Sequence, residues 1–108
     1  MALFEISVDS SENTLLCVLH TLRFDTTVTE EFKKEVEKYW SSEIEEVVLD
    51  FQKVDFIDSS GVGALLALQK RITAGEQPLI LKNAGKNVVE VIELLRLHRI
   101  FNINPVPS

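Results

Sequence analysis

The feature that most constrains the fold is an alternation of two kinds of segment after residue 26. The segments VVLDF at 47–51 and PLILK at 78–82 are short, apolar and rich in branched residues, as buried central strands are. Longer segments with a helical spacing of apolar residues lie before, between and after them. Because strands that alternate with helices form right-handed β-α-β units, the pattern predicts an α/β fold with parallel central strands.

Three helices are predicted from the apolar spacing. The first begins at TVTE, which matches a capping box in which Thr27 caps the Glu30 amide and Glu30 reaches back. The second begins near Ser60 and ends at residues 74–75, and the third spans residues 86–96. Each helix follows a strand or a turn, as the alternation requires.

The N-terminal part of the chain adds an antiparallel hairpin. Its strands are predicted at residues 3–8 and 15–22, around the polar turn DSSENT. A short edge strand is expected at 101–103, and residues 104–108 are expected to form a frayed tail. The predicted order is β-β-α-β-α-β-α, which gives a mixed and mostly parallel sheet of four to five strands that carries helices.

Length and charge restrict the function. At 108 residues the chain is expected to form a single domain, residues 1–108, with its core at about 4–103. A net charge of −6 argues against nucleic acid as a partner, because phosphate binding needs a basic face. The sequence contains no apolar run long enough to span a membrane and no signal-peptide pattern, and the single Cys17 excludes an internal disulfide. We expect a cytoplasmic protein, and a monomer.

The junction VDFIDSSGVG, residues 54–63, leads from a strand region into the second helix. The first amides of a helix lack internal partners and carry the positive end of the helix dipole. Asp58 and the serines offer oxygens that accept hydrogen bonds from these amides, so the simplest interpretation is a helix cap. The same position tolerates a phosphate, so a serine here is also a candidate for covalent modification.

Catalytic and ligand sites fit this junction less well. A catalytic serine needs a base within reach, and neither His20 nor His98 has a recognisable spacing from it. DSSGVG departs from G-x-S-x-G and lacks the lysine of a phosphate-binding loop. One cysteine and two distant histidines argue against zinc. We therefore predict no catalytic residue, no metal site and no cofactor.

The segment EEVVLDFQKVDFIDSSGVGALLALQKRI resembles the central part of STAS domains, particularly the bacterial anti-sigma factor antagonists. In that family D-S-S-G opens the second helix. RFDTTVTEEFKKEV is similar to the stretch before the first helix of the family, and ELLRLHRIF is similar to its closing segment. The resemblance covers residues 4 to 103 approximately, and it implies a single STAS-like domain.

The resemblance implies a regulatory switch and no enzyme. By position, Ser59 is the serine that a kinase phosphorylates, and the kinase doubles as the anti-sigma factor, here expected to be of the GHKL type. The unmodified protein binds this kinase and frees the sigma factor, and a phosphatase of the PP2C type resets it. Asp25, Asp58, Ser60 and Gly61 complete the expected partner-binding and switch surface around Ser59.

The chain departs from the family at two positions where glycine is frequent. Leu22-Arg23-Phe24-Asp25 replaces a glycine-containing turn, and Arg96 stands near the end of the last helix. Larger side chains in place of these glycines are expected to alter partner choice.

Two other functions stay open. The first is a STAS module in a stress-signalling scaffold or beside a transporter ATPase, and the second is a nucleotide-binding protein that uses the start of the second helix.

Overall fold

The structure is a computed structural model that describes residues 2–72 and 78–106. Within these ranges the strands are β1 (Phe4–Asp9), β2 (Thr14–Leu19), β3 (Arg23–Phe24), β4 (Glu46–Asp50), β5 (Phe56–Ile57), β6 (Ile80–Ala84) and β7 (Asn102–Pro105). The helices are α1 (Thr29–Tyr39), α2 (Ser59–Arg71) and α3 (Lys86–Leu94), and a 3₁₀ turn at Leu97–Arg99 follows α3. No helix in the described part of the chain is long and apolar enough to cross a bilayer.

The main sheet has the order β1-β2-β4-β6-β7. Strand β1 pairs antiparallel with β2, whereas β2, β4, β6 and β7 run parallel. The predicted α/β fold, with its N-terminal hairpin and a mixed sheet of five strands, is therefore confirmed. Strands β3 and β5 form a second, two-stranded parallel sheet that the sequence analysis did not predict.

The core lies on one face of the main sheet. Each crossover moves one strand further in the same direction, and right-handed crossovers of this kind place their helices on a common face. Burial agrees, because Leu15, Cys17 and Leu19 are buried whereas Leu16 between them is 39% exposed. Burial also raises the pKa of the Cys17 thiol to about 12, as expected of a small core side chain.

Three contacts between aromatic rings connect the helical layer to this core. Phe32 of α1 makes edge-to-face contacts with Phe4 and with Phe24, at centroid distances of 5.4 and 5.0 Å. Phe24 also contacts Phe51 at 5.9 Å. Phe24 therefore attaches the small β3–β5 sheet to both α1 and the end of β4.

Two details differ from the sequence-based expectations, and one cannot be compared. Strand β7 continues to Pro105, and the Val106 amide donates to the Ala84 carbonyl at 3.1 Å, so the tail pairs with β6 at positions where fraying was predicted. Helix α1 begins at Thr29 with Val28 at the N-cap position and without a side-chain cap. The predicted end of the second helix at residues 74–75 lies outside the described residues.

Candidate functional site

The two-stranded β3–β5 sheet builds the candidate site. Arg23 lies opposite Phe56 and Phe24 lies opposite Ile57 in a parallel register. The Leu22 carbonyl also accepts hydrogen bonds from the amides of residues 55 and 56, at 2.8 and 3.1 Å. Two segments that are 33 residues apart in the sequence therefore run side by side up to the start of α2.

Asp58 caps α2 and joins it to the neighbouring segment. One carboxylate oxygen accepts from the Gly61 amide at 3.0 Å, and the other accepts from the Thr26 amide at 3.4 Å. The backbone of Asp58 is extended, as is usual for an N-cap residue. The helix cap that DSSG predicted is confirmed, and the same side chain also connects α2 with the chain after β3.

Ser59 is the first residue of α2 and is exposed, whereas Ser60 is half-buried. Among the described residues, neither hydroxyl has a hydrogen-bond partner. His20, by contrast, lies 3.2 Å from Glu5 on β1. The Ser59 hydroxyl is thus accessible to a modifying protein, and the structure places no described base against it.

Gly61 is required by the close approach of α2 to β3. A Cβ atom at this position would lie 2.3 Å from the Phe24 carbonyl oxygen and 2.7 Å from Ile57 Cγ1. No L side chain fits there unless the backbone shifts. At Gly63, two residues further along the helix, a Cβ would meet nothing within 4 Å. The first glycine of DSSGVG is therefore a packing requirement, and the second is not.

Asp25 organises the loop between β3 and α1. Its Oδ1 accepts from the amide and the hydroxyl of Thr27, at 3.0 and 2.5 Å, and its Oδ2 accepts from Arg23 Nε at 3.1 Å. Its carbonyl accepts from the amides of Val28 and Thr29. The side chain is 11% exposed, and the hydroxyl of Thr27, with a smaller contribution from Arg23, holds its pKa below the usual value.

These contacts correct the predicted capping box of α1. The Thr27 hydroxyl donates to Asp25 and does not cap the Glu30 amide. Because α1 begins at Thr29, Thr27 lies before the N-cap residue and Glu30 is the second helical residue, so neither is at the position that a capping box requires. Asp25 precedes Thr26, whose amide donates to Asp58 of the DSSG junction, but the Asp25 carboxylate binds groups of its own loop and is nearly covered.

An exposed patch of Leu22, Arg23 and Phe56 borders the site. Leu22 is 69% exposed, and the Arg23 guanidinium carbon lies 3.9 Å from the centroid of the Phe56 ring. In the sequence, Arg23 is notable only as part of a departure from a family pattern. The β3–β5 register places it here, and this register could not be predicted because strands of two residues give no periodic signal.

A metal ion has no candidate ligand set in residues 2–72 and 78–106, since no group of three His, Cys, Asp or Glu side chains converges there. The apolar hollow between α1 and α2, about 220 Å³, is lined mainly by Phe32, Val36, Ala64 and Leu68. It does not include Ser59 in its lining, and the charged residues Lys33, Glu37 and Arg71 also border it. The arrangement at the DSSG junction suits presentation of a serine to another protein better than binding of a small molecule.

Comparison with protein families decides the classification. The model of the STAS domain matches residues 6–107. The chain belongs to the STAS domain family. The match includes β3, the DSSG junction and β7, so the whole arrangement described above lies within this STAS domain.

Solved structures share the fold at low sequence identity. A candidate anti-sigma factor antagonist from Thermotoga maritima has a TM-score of 0.77 and 21% identity, with 95% of this chain and 86% of that chain covered. The anti-sigma factor antagonist SpoIIAA in its unphosphorylated form has a TM-score of 0.66 and 21% identity, covering 84% and 82%. The phosphorylated form of SpoIIAA from Bacillus has a TM-score of 0.68 and 20% identity, covering 93% and 89%. These structures show that the chain has the same fold as proteins described as anti-sigma factor antagonists.

Proposed function

We propose that this STAS domain is an anti-sigma factor antagonist that is switched by phosphorylation of Ser59. The unmodified protein binds a GHKL-type serine kinase that is also the anti-sigma factor, and this binding frees the sigma factor. Phosphorylation of Ser59 ends the binding, and a PP2C-type phosphatase restores it. The observation that carries the proposal is the exposed and unpartnered Ser59 hydroxyl at the first position of a capped helix.

The position of Ser59 lets a phosphate be added at little cost to the fold. The amides at the start of α2 and the helix dipole favour a negative charge there. A phosphoserine adds about −1.5 to −2 charges to the surface at neutral pH. A partner that packs closely against a neutral hydroxyl is then rejected by both charge and bulk.

The neighbouring residues have distinct parts in the switch. Asp58 holds the first turn of α2 in place through the Gly61 and Thr26 amides. Gly61 brings that turn against β3. Ser60 is the less exposed hydroxyl, so Ser59 is the acceptor. Asp25 keeps the loop beside them in one conformation.

Intact-mass spectrometry tests the modification. The protein is incubated with ATP and a candidate anti-sigma kinase encoded in the same genome, and the modified residue is mapped. One added phosphate is expected, present in Ser60→Ala and absent in Ser59→Ala. Ser60→Ala is the matched control, because it removes a hydroxyl from the same helical turn.

Binding to the same kinase tests the switch. Ser59→Ala should bind the kinase and resist release by ATP, whereas Ser59→Asp should stay folded and lose binding by at least tenfold, about 1.4 kcal/mol. Equal binding of Ser59→Asp and the parent protein would contradict rejection by charge at this position. Absence of both binding and phosphorylation with every such kinase would favour a STAS module of a signalling scaffold or a transporter.

A further inference from the structure

Arg23 is a cation that the structure holds in one orientation beside the DSSG junction. Its guanidinium stacks on Phe56, and its Nε donates to Asp25 Oδ2 at 3.1 Å. The side chain is nevertheless 60% exposed, and its two terminal nitrogens have no partner among the described residues. A planar guanidinium held in this way presents two parallel donors to an incoming anion.

Two contacts place Ser59 against the same strand end. Asp58 accepts from the Thr26 amide, and the Cβ position of Gly61 lies 2.3 Å from the Phe24 carbonyl oxygen. Ser59 lies between Asp58 and Gly61 in the chain. The turn that carries its hydroxyl therefore rests against the segment that follows Arg23.

Arg23 is held toward the residues that follow β3, because its Nε donates to the Asp25 carboxylate. The register pairs Phe24 with Ile57, and just beyond this pair the Asp58 carboxylate accepts from the Thr26 amide. Arg23 is therefore bonded to the end of the β3 segment that adjoins Asp58, the residue before Ser59. A phosphate on Ser59 would project from the adjacent position.

The charged groups around this end of α2 belong to three elements. Arg23 in β3 and Asp25 after it form the first group, and Lys53, Asp55 and Asp58 between β4 and α2 form the second. Lys86 stands at the start of α3, where the neighbouring Asn87 donates to Asp55. Lys53 lines one hollow with Glu5 and Glu35 and another with Thr21 and Leu22, and neither hollow is lined by a residue of the DSSG junction. Arg23 and Lys86 are thus the cations that can be compared as partners of a group on Ser59.

We infer that Arg23 is the residue that senses modification of Ser59, by exchanging the Asp25 carboxylate for the phosphate; this inference rests on the proposed function. A phosphate dianion carries more charge than a carboxylate and accepts two hydrogen bonds from one guanidinium. This exchange moves the Arg23 guanidinium within the exposed Leu22–Arg23–Phe56 patch. It also breaks the hydrogen bond from Arg23 Nε to Asp25. Phosphorylation then alters the loop that leads into α1 as well as the surface at Ser59.

The experiment installs phosphoserine at position 59 during synthesis of the full chain, so no kinase is needed. A ³¹P NMR titration then measures the second pKa of the phosphate, which is about 6 in the absence of a partner. Arg23→Gln should raise this pKa by roughly half a unit or more, because a facing cation stabilises the dianion. Arg23→Lys keeps the charge and should give an intermediate value.

Arg71→Gln is the matched control. Arg71 also stacks on an aromatic ring, that of Trp40 at 4.4 Å, and bonds to a carboxylate, that of Glu37 at 2.6 Å. It lies at the other end of α2, about 18 Å from Ser59 along the helix. The phosphate pKa should not change in this variant. An equal pKa in the parent and Arg23→Gln, or a larger rise in Lys86→Gln, would overturn the inference.

A second measurement covers the case in which Arg23→Gln fails to fold. In the unvaried chain, the ¹H–¹⁵N signal of Arg23 Nε should shift between the Ser59 and phosphoserine forms, while that of Arg71 stays constant. An unchanged Arg23 signal would overturn the inference. Phosphoserine is installed directly, so the two tests are independent. A negative NMR result would not change the outcome of the kinase assay, and a negative kinase assay would not change the NMR result on Arg23.

Discussion

Helices α1 and α2 both begin beside the β3–β5 sheet, but their first turns are organised differently. Helix α2 has its own cap, because Asp58 immediately precedes it and accepts from the Gly61 amide. Helix α1 has Val28 at the N-cap position, and its entry is organised by Asp25, three residues earlier. Asp58 lies next to α2 and stabilises the start of that helix. Asp25 lies within the loop before α1, and its hydrogen bonds hold the loop, the start of α1 and Arg23 together.

This difference shows why similar sequence signals led to different outcomes. DSSG and TVTE both match capping patterns. At DSSG the helix begins directly after Asp58, whose carboxylate accepts from the Gly61 amide. At TVTE the Thr27 hydroxyl donates to the Asp25 carboxylate, and α1 begins two residues after Thr27, so Thr27 is not the N-cap residue. A capping pattern therefore predicts a cap only where the helix begins directly after the capping residue.

The largest expected effect is that of Gly61→Ala, which tests the close packing at the start of α2. The new methyl group would lie 2.3 Å from a backbone oxygen, so we expect a loss of about 3 kcal/mol in the free energy of unfolding. Urea denaturation measures it. Gly63→Ala is the control and should stabilise by about 0.5 kcal/mol, because its site is open and alanine favours the helix. Equal effects would contradict the packing argument.

Asp25→Asn tests the loop that leads into α1, and we expect a smaller loss of stability with a characteristic pH dependence. The folded-state pKa of Asp25 lies below its unfolded value, so the ionised carboxylate stabilises the folded state above pH 4 approximately. This contribution disappears as the pH falls through the lowered pKa. The difference in unfolding free energy between the parent and Asp25→Asn should therefore be largest near pH 7 and should decrease as the pH falls through the lowered pKa.

Thr27→Val provides the comparison for Asp25, because it removes the donor that lowers the Asp25 pKa most. It should reproduce part of the loss at pH 7. Urea midpoints measured from pH 7 to pH 3 provide both comparisons. A difference between the parent and Asp25→Asn that stays constant across this range would rule out a stabilising role for the ionised carboxylate.

Asp58→Ala and Glu30→Ala compare the two helix starts directly. Loss of the Asp58 cap should cost about 1 kcal/mol. Glu30 is exposed and makes no cap contact in the structure, so its removal should change the free energy of unfolding by less than about 0.5 kcal/mol. Urea denaturation of both variants gives the answer. If Glu30→Ala lowered the free energy of unfolding as much as Asp58→Ala, the predicted capping box of Thr27 and Glu30 would be supported after all.

Arg96→Gly tests the end of a helix, and we expect this variant to be more stable than the parent protein. Arg96 follows α3 with φ 60° and ψ 24°, a left-handed conformation that disfavours every residue with a Cβ. Glycine should stabilise the protein by about 1 kcal/mol. Arg99→Gly, in the following 3₁₀ turn without a positive φ, should give no gain. A lower melting temperature for Arg96→Gly would show that its side chain contributes more than the strain costs.

Much of the fold was predictable because it depends on local periodicity. VVLDF and PLILK appear as central strands, within two residues of the predicted bounds. The β3–β5 pair was missed because two residues carry no periodic signal, and with it the proximity of Arg23 to the junction. The resemblance pointed to a glycine position at Arg96, but only the backbone shows that this residue adopts the left-handed conformation.

Patterns in the sequence were enough to predict the α/β class and the cap at DSSG and to reveal the STAS resemblance, because each depends on residues that are close together in the chain. Which groups meet at the junction became known only from the three-dimensional arrangement. Asp58 binds the amide of Thr26, Gly61 packs on Phe24, and Arg23 stacks on Phe56. Each of these contacts joins the β3 segment to residues that lie 32 to 37 positions further along the chain. Their strength depends on distance and burial in three dimensions, which the order of residues does not specify.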